Sequence, residues 1–150
     1  MTKQFFFFSI YNIIISINYI FKKIYFVNMV VFTFVVCAEP YKFEALDTML
    51  NLGQAILKKG HQILGIYFYG SGVYSAKRDL KLSSSMRDLP KRLENFLEGN
   101  NMKLFACSTW MNFTGLKPEQ LIENASQVGL GDLSKWMAES DRVIVFGPGG

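Results

Sequence analysis

The sequence predicts a three-layer α/β domain: a mostly parallel sheet of about five strands with helices on both faces. Three observations carry that expectation. Apolar runs rich in β-branched and aromatic residues recur at 30–38, 61–70, 102–107 and 141–146. Unbroken runs of this kind suit strands buried on both faces of a parallel sheet. Stretches with apolar residues at helical spacing lie between them, and regular alternation of the two is the mark of βαβ units. Finally, 150 residues, half of them apolar and 19% charged, are enough for one domain with a real core and too few for two ordinary ones.

Taken in order, "VVFTFVVCA" (30–38) reads as a buried strand that Pro40 ends. "YKFEALDTMLNLGQAILKKG" then places Phe43, Leu46, Leu50, Ile56 and Leu57 on one helical face, with Lys58 and Lys59 in the last turn and Gly60 closing it. "HQILGIYFYG" (61–70) is the second strand, and "SGVYSAKRDLKLSSS" a polar loop. Residues 88–98 form a helix with Asp88 as cap, Pro90 in the first turn, and Leu89, Leu93, Phe96 and Leu97 on one face; Gly99 ends it. "MKLFAC" (102–107) is the third strand. Pro118 starts a short helix with Glu119 in its first turn and Leu121, Ile122 and Ala125 facing inward. "LGDLSKWMAES" is the last helix, "DRVIVF" (141–146) the closing strand, and residues 147–150 a tail.

Residues 1–28 differ in kind. Phe, Ile, Tyr, Asn and Lys make up 22 of the 28, residues whose codons are mostly or wholly A and T. They are read as a leader outside the domain, and residues 29–146 as the domain itself. Three explanations stand open: A/T-rich upstream DNA translated from a start placed before Met29, a membrane anchor over residues 5–21, or an ordered extra element. Ser9, Asn12, Ser16 and Asn18 weaken the anchor. No small-x-small cleavage site follows the apolar run promptly, which argues against a secretory signal.

The formal charge is +4, from 16 Lys and Arg against 12 Asp and Glu. Lys3, Lys22 and Lys23 lie before Met29, so the domain carries 13 bases against 12 acids. A near-neutral body has no electrostatic footprint for a phosphate backbone, and no direct nucleic-acid partner is expected. Two cysteines 70 positions apart, no Cys-x-x-Cys and one histidine, His61, argue against a zinc site and against a disulfide scaffold. A reducing, cytoplasmic setting fits, and no cofactor or metal is expected.

In parallel sheets, sites form beyond the carboxyl ends of the strands. Cys37, Tyr69 to Gly72 and Cys107 all fall at such ends. Cys107 is followed by Ser108 and Thr109, where a helix should begin. Free backbone N–H groups there favour negative charge, by ~0.3–1 kcal/mol when exposed and up to ~2 when partly buried. Such surroundings lower a cysteine pKa below its usual ~8.5 and expose thiolate, the reactive form. The competing reading is a small buried hydrophobe. No histidine lies nearby in sequence, so sulfur exchange or redox work suits this thiol better than hydrolysis. Cys37 has Ala38, Glu39 and Pro40 behind it and no helix start, and core packing suits it better. "GSG" (70–72) lacks the spacing of a phosphate loop and reads as turn glycines. Trp110, Met111 and Phe113 read as packing or interface residues.

From Met29 to Phe146 the chain resembles the DsrE/DsrF-like sulfurtransferases, and most closely the TusD type of subunit. The resemblance rests on "VVCAEPY", "KKGHQILGIYFYGSGVYSA", "LFACSTWMNFTGL" and "GLGDLSKWMAESDRVIVF", in that order. It implies a small α/β sulfurtransferase that accepts sulfane sulfur as a persulfide on one cysteine, whose position falls on Cys107. Site neighbours are then Cys37, Tyr41, Tyr69, Gly72, Ser108, Thr109 and Trp110. The resemblance also implies a homo-oligomer, or a hetero-oligomer with sister subunits, and a TusA-like or DsrC/TusE-like sulfur carrier as partner. Two features depart from the TusD pattern: "STWMNF" after the cysteine is bulkier, and Cys37 stands where that type commonly has no cysteine. A membrane partner is expected only if residues 5–21 are an anchor. The alternative function is a non-catalytic assembly subunit or a small-ligand-binding module of the same fold.

Overall fold

The computed structural model describes residues 29–80 and 87–147. The leader over residues 1–28 and the last three residues of the expected tail lie outside them. Five strands form one sheet: β1 (Val31–Val36), β2 (Gln62–Phe68), β3 (Leu104–Cys107), β4 (Ala125–Val128) and β5 (Arg142–Phe146), in the order β4-β3-β2-β1-β5. Every pairing is parallel. Among the described residues four α-helices connect them: α1 (Ala45–Lys58), α2 (Leu89–Gly99), α3 (Ser108–Thr114) and α4 (Leu130–Glu139). The three-layer reading therefore holds. Right-handed crossovers explain the layers. The chain moves from β1 to β2 to β3 in one direction through α1 and α2, then returns across the sheet from β4 to β5 through α4, which puts α4 on the opposite face.

Local chemistry sets the helix ends. Asp88 caps α2, its carboxylate accepting from the Lys91 N–H at 3.0 Å, with Pro90 in the first turn. Gly60, just past α1, has φ +81°, a left-handed conformation that glycine adopts without strain. Between β1 and α1 the backbone is less relaxed: Tyr41, Phe43 and Glu44 all have positive φ.

The two faces of the sheet are not equally filled. Phe34, Val36, Ile66, Phe68, Leu104 and Ala106 belong to a continuous core with Met49, Leu93 and Leu97, all without solvent exposure. Each large side chain so buried contributes roughly 1.5–3 kcal/mol. Gly53 brings α1 and α2 together; a Cβ there would lie 2.8 Å from the Phe96 ring. On the other face α4 buries none of its residues completely. Its anchor is Trp136, whose ring lies over Gly65, 2.9 Å from where a Cβ would stand, and meets Phe105 with ring centroids 4.5 Å apart. Asp47 is the buried charge of the first layer, held by Arg92 and Arg87. No helix among the described residues is long and apolar enough to cross a membrane.

Two expectations need correction. The helix expected from Pro118 through Ala125 is only a single 3-10 turn, Pro118–Gln120; Ala125 instead opens β4. Leu121 and Ile122 do point inward, but a four-residue strand at the sheet edge, half of it exposed, carries no period that distinguishes it from a helix end. The loop expected from Ser71 begins as a seven-residue 3-10 helix, Gly70–Ala76, with Gly72, Val73, Ser75 and Ala76 buried. Polar composition misled there, since the burial is of backbone and small side chains.

Candidate functional site

Val36, Phe68 and Ala106 form one row across β1, β2 and β3. One step further along stand Cys37, Tyr69 and Cys107, so Tyr69 separates the two thiols. Strands lie about 4.8 Å apart, which puts the two cysteine backbones roughly 10 Å from each other. A disulfide needs Cα atoms within ~7 Å, so these two thiols do not bridge in this arrangement. Side chains alternate along each strand. Thr33, Val35 and Cys37, then Gly65, Tyr67 and Tyr69, then Phe105 and Cys107 therefore share the α4 face, the thinner side of the molecule.

Cys107 is the residue that caps α3, and Ser108 is the first in the helix, as expected. Its φ and ψ of −63° and 118° turn the chain from strand into helix, and its side chain makes no capping hydrogen bond. The thiol is nonetheless fully buried, at 0% exposure. Ser108 is half-buried and Thr109 exposed. Trp110 packs edge-on against Tyr69, centroids 5.7 Å apart, and against Phe113, 5.8 Å apart. So Cys107, Tyr69, Ser108, Thr109 and Trp110 are brought together.

The other three named residues are placed elsewhere. Cys37 is half-buried, next to Gly147, and its carbonyl accepts a hydrogen bond from the Ser71 hydroxyl at 3.3 Å. Burial pushes its thiol above the ordinary cysteine value. Gly72 is structural: a Cβ there would stand 2.2 Å from the Val36 carbonyl oxygen. Tyr41 lines a cavity of about 110 Å³ with Lys42, Glu44, Asp47, Arg87 and Leu89, none of them from β3 or α3.

Sequence reasoning missed Tyr67. It lies on β2, paired with Phe105, at 0% exposure, its ring edge-on to Trp136 with centroids 6.2 Å apart. Its hydroxyl oxygen is buried without a well-directed hydrogen bond. Burial pushes this hydroxyl well above the usual phenol range, and the neighbouring Cys107 thiol adds to the rise by hydrogen bonding and by charge, followed by Asp132 and Tyr69. The available signal was a tyrosine in mid-run of a central strand, where a buried hydroxyl has to find a partner.

Residues 30–146 match the model of the DsrE/DsrF-like family. The chain belongs to that family. It is 25% identical over 126 residues to the sulfurtransferase TusD homolog of Vibrio vulnificus, covering 77% of this chain and 96% of that protein. It is 26% identical over 119 residues to the putative sulfurtransferase DsrE of Allochromatium vinosum, covering 72% and 92%. An uncharacterized protein of Methanocaldococcus jannaschii is 31% identical over 121 residues, covering 77% and 98%. The crystal structure of the ychN protein from E. coli superposes with a TM-score of 0.69 at 22% identity, over 79% of this chain and all of that one, and establishes the common fold.

Proposed function

We propose that this protein is a sulfurtransferase that carries sulfane sulfur as a persulfide on Cys107 and relays it to a carrier protein. The observation that carries the proposal is the position of Cys107: a strand-end thiol, turned into the start of α3, with the buried Tyr67 hydroxyl, which lacks a well-directed bond, beside it. Family membership and the names of the two sulfurtransferase relatives support it. In the loading step the Cys107 thiolate attacks the outer sulfur of a donor persulfide. A new S–S bond forms, the donor's S–S bond breaks, and its electron pair leaves on the donor thiolate. No external oxidant or reductant is needed. Relay to the carrier repeats the exchange with Cys107 as leaving group.

Full burial of Cys107 means that the donor reaches it only after local opening, and local openings cost least where few buried apolar contacts hold an element. α3, in which only Met111 is buried, qualifies. Burial is also the observation that favours the second reading, a non-catalytic assembly subunit or ligand-binding module in which Cys107 is core. Alkylation of the folded protein near neutral pH separates the two: a Cys107 that reacts sustains the transfer reading, and one that stays inert leaves only the second.

The partners we propose are a TusA-like or DsrC/TusE-like sulfur carrier, in tRNA thiolation or sulfur oxidation, and further copies or sister subunits in a cytoplasmic oligomer. Phe113, 76% exposed beside Trp110, and the half-exposed Leu130 and Met137 of α4 are exposed apolar side chains that such assembly would cover.

Cys37 is secondary in this scheme. Its raised pKa leaves little thiolate at neutral pH. Cys37→Ser is expected to retain most sulfur loading; loss of loading in that variant, together with its persistence in Cys107→Ser, would give the role to Cys37. The functional unit we propose is residues 29–146. Strand pairing begins at Val30, whose carbonyl accepts from the Gln62 N–H at 3.1 Å. A chain beginning at Met29 is expected to melt within a few degrees of the full chain, whereas loss of soluble protein on truncation would make the leader structural.

A further inference from the structure

We propose that the Tyr67 hydroxyl is the hydrogen-bond donor that holds the sulfur anion of Cys107, first as thiolate and then as persulfide. The persulfide half rests on the sulfur-transfer reading above; the thiolate half does not.

The argument starts from a cost. Tyr67 is completely buried and its ring packs on Trp136, a contact that a phenylalanine would make equally well. The hydroxyl adds only a buried polar group, and its oxygen lacks a well-directed partner. Such a group destabilises a fold unless something bonds to it. The sulfur of Cys107 is next to it, on the adjacent strand and the same face of the sheet. A neutral thiol is a weak acceptor and a weak donor, which accounts for a poor bond in the resting state. An anionic sulfur is a much better acceptor, and hydrogen bonds to charged groups are about twice as strong as neutral ones. The hydroxyl is thus aimed where charge develops, and it needs no reorganisation when charge appears.

The proton stays on oxygen throughout. Burial, Cys107 itself, Asp132 at the start of α4 and Tyr69 just past β2 all hold Tyr67 protonated. It directs a hydrogen bond and transfers no proton. The proton released when Cys107 ionises, or from the outer sulfur of the persulfide, goes to solvent during opening. Asp132 and Tyr69 are the other titrating groups that act on Tyr67; Asp132 is exposed and its carboxylate already accepts from the Gly129 N–H at 3.2 Å.

The test is Tyr67→Phe in the full chain, with iodoacetamide alkylation followed against pH and both cysteines quantified by peptide mass spectrometry. The midpoint of the Cys107 profile should move to higher pH by about one unit, a tenfold loss of reactive thiolate at neutral pH. Cys37, which follows the strand on the other side of β2 and does not act on the Tyr67 hydroxyl, should keep its profile, and the thermal midpoint should hold or rise because a poorly bonded buried hydroxyl is gone. Unchanged Cys107 behaviour, or equal shifts at both cysteines, would overturn the proposal. An independent arm uses the parent chain: the ring-carbon NMR signals of Tyr67 should titrate with Cys107 and stop doing so in Cys107→Ser. Signals that never respond to Cys107 also overturn it. Failed sulfur loading alongside a shifted alkylation profile removes the transfer reading and leaves the Tyr67–Cys107 pair standing; normal loading with an unshifted profile does the reverse.

Discussion

Incubation of the protein with a sulfane-sulfur donor is expected to add about 32 Da per sulfur atom to the Cys107 peptide, and Cys107→Ser to abolish the addition. The effect is all or none because the sulfur is the reacting atom, with no second thiol on β3 or α3 to replace it. Serine at a fully buried position brings a hydroxyl that needs a partner, and so costs stability of the order of 1–3 kcal/mol. Cys107→Ala removes that complication and leaves a small cavity instead. If both variants retain their circular dichroism spectra and lose the adduct, the loss belongs to the thiol and not to unfolding. An adduct that persists undiminished in both would place sulfur elsewhere and end the case for Cys107.

Much of the fold was legible because the strands that matter are buried on both sides. Runs such as "VVFTFVV" and "IYFY" leave few alternatives to a central strand, and Asp88, Pro90 and Gly60 mark helix ends by local backbone chemistry that needs no tertiary information. β4 was not legible. Ala125–Val128 is an edge strand, held through its pairing with β3 more than by any pattern of its own. The site divides in the same way. Cys107 could be located by its position alone, at the exit of a strand and the start of a helix. Its complete burial could not, because that depends on how α3 and the Gly70–Ala76 segment settle around the strand ends. Tyr67 lay within a run already explained as core. Only the register of β2 against β3 shows that its face is the face of Cys107.

Gly72→Ala should be the most destabilising single-methyl change in the described chain, lowering stability by about 3 kcal/mol or more, at or beyond the upper end for overpacked cores. The backbone at Gly72 is not left-handed, so the objection is not conformational. It is one of space. A Cβ at this position would stand 2.2 Å from the Val36 carbonyl oxygen and 2.9 Å from its carbon, and 3.3 Å from the carbonyl carbon of Cys37. These are backbone atoms at the end of a central strand, and the same Val36 oxygen already accepts from the Tyr69 N–H at 2.9 Å. No rotamer change relieves the clash. Either β1 or the Gly70–Ala76 segment has to move, and the latter packs on β3 and α3, so the surroundings of Cys107 move with it. Gly99→Ala is the matched control. Nothing lies within 4 Å of its Cβ position at the end of α2, and alanine there should be neutral or add about 0.5–1 kcal/mol through helix preference. Urea unfolding of the three chains measures both differences. A Gly72→Ala midpoint within error of the parent's would mean that the close approach of Gly72 to β1 is absent in solution.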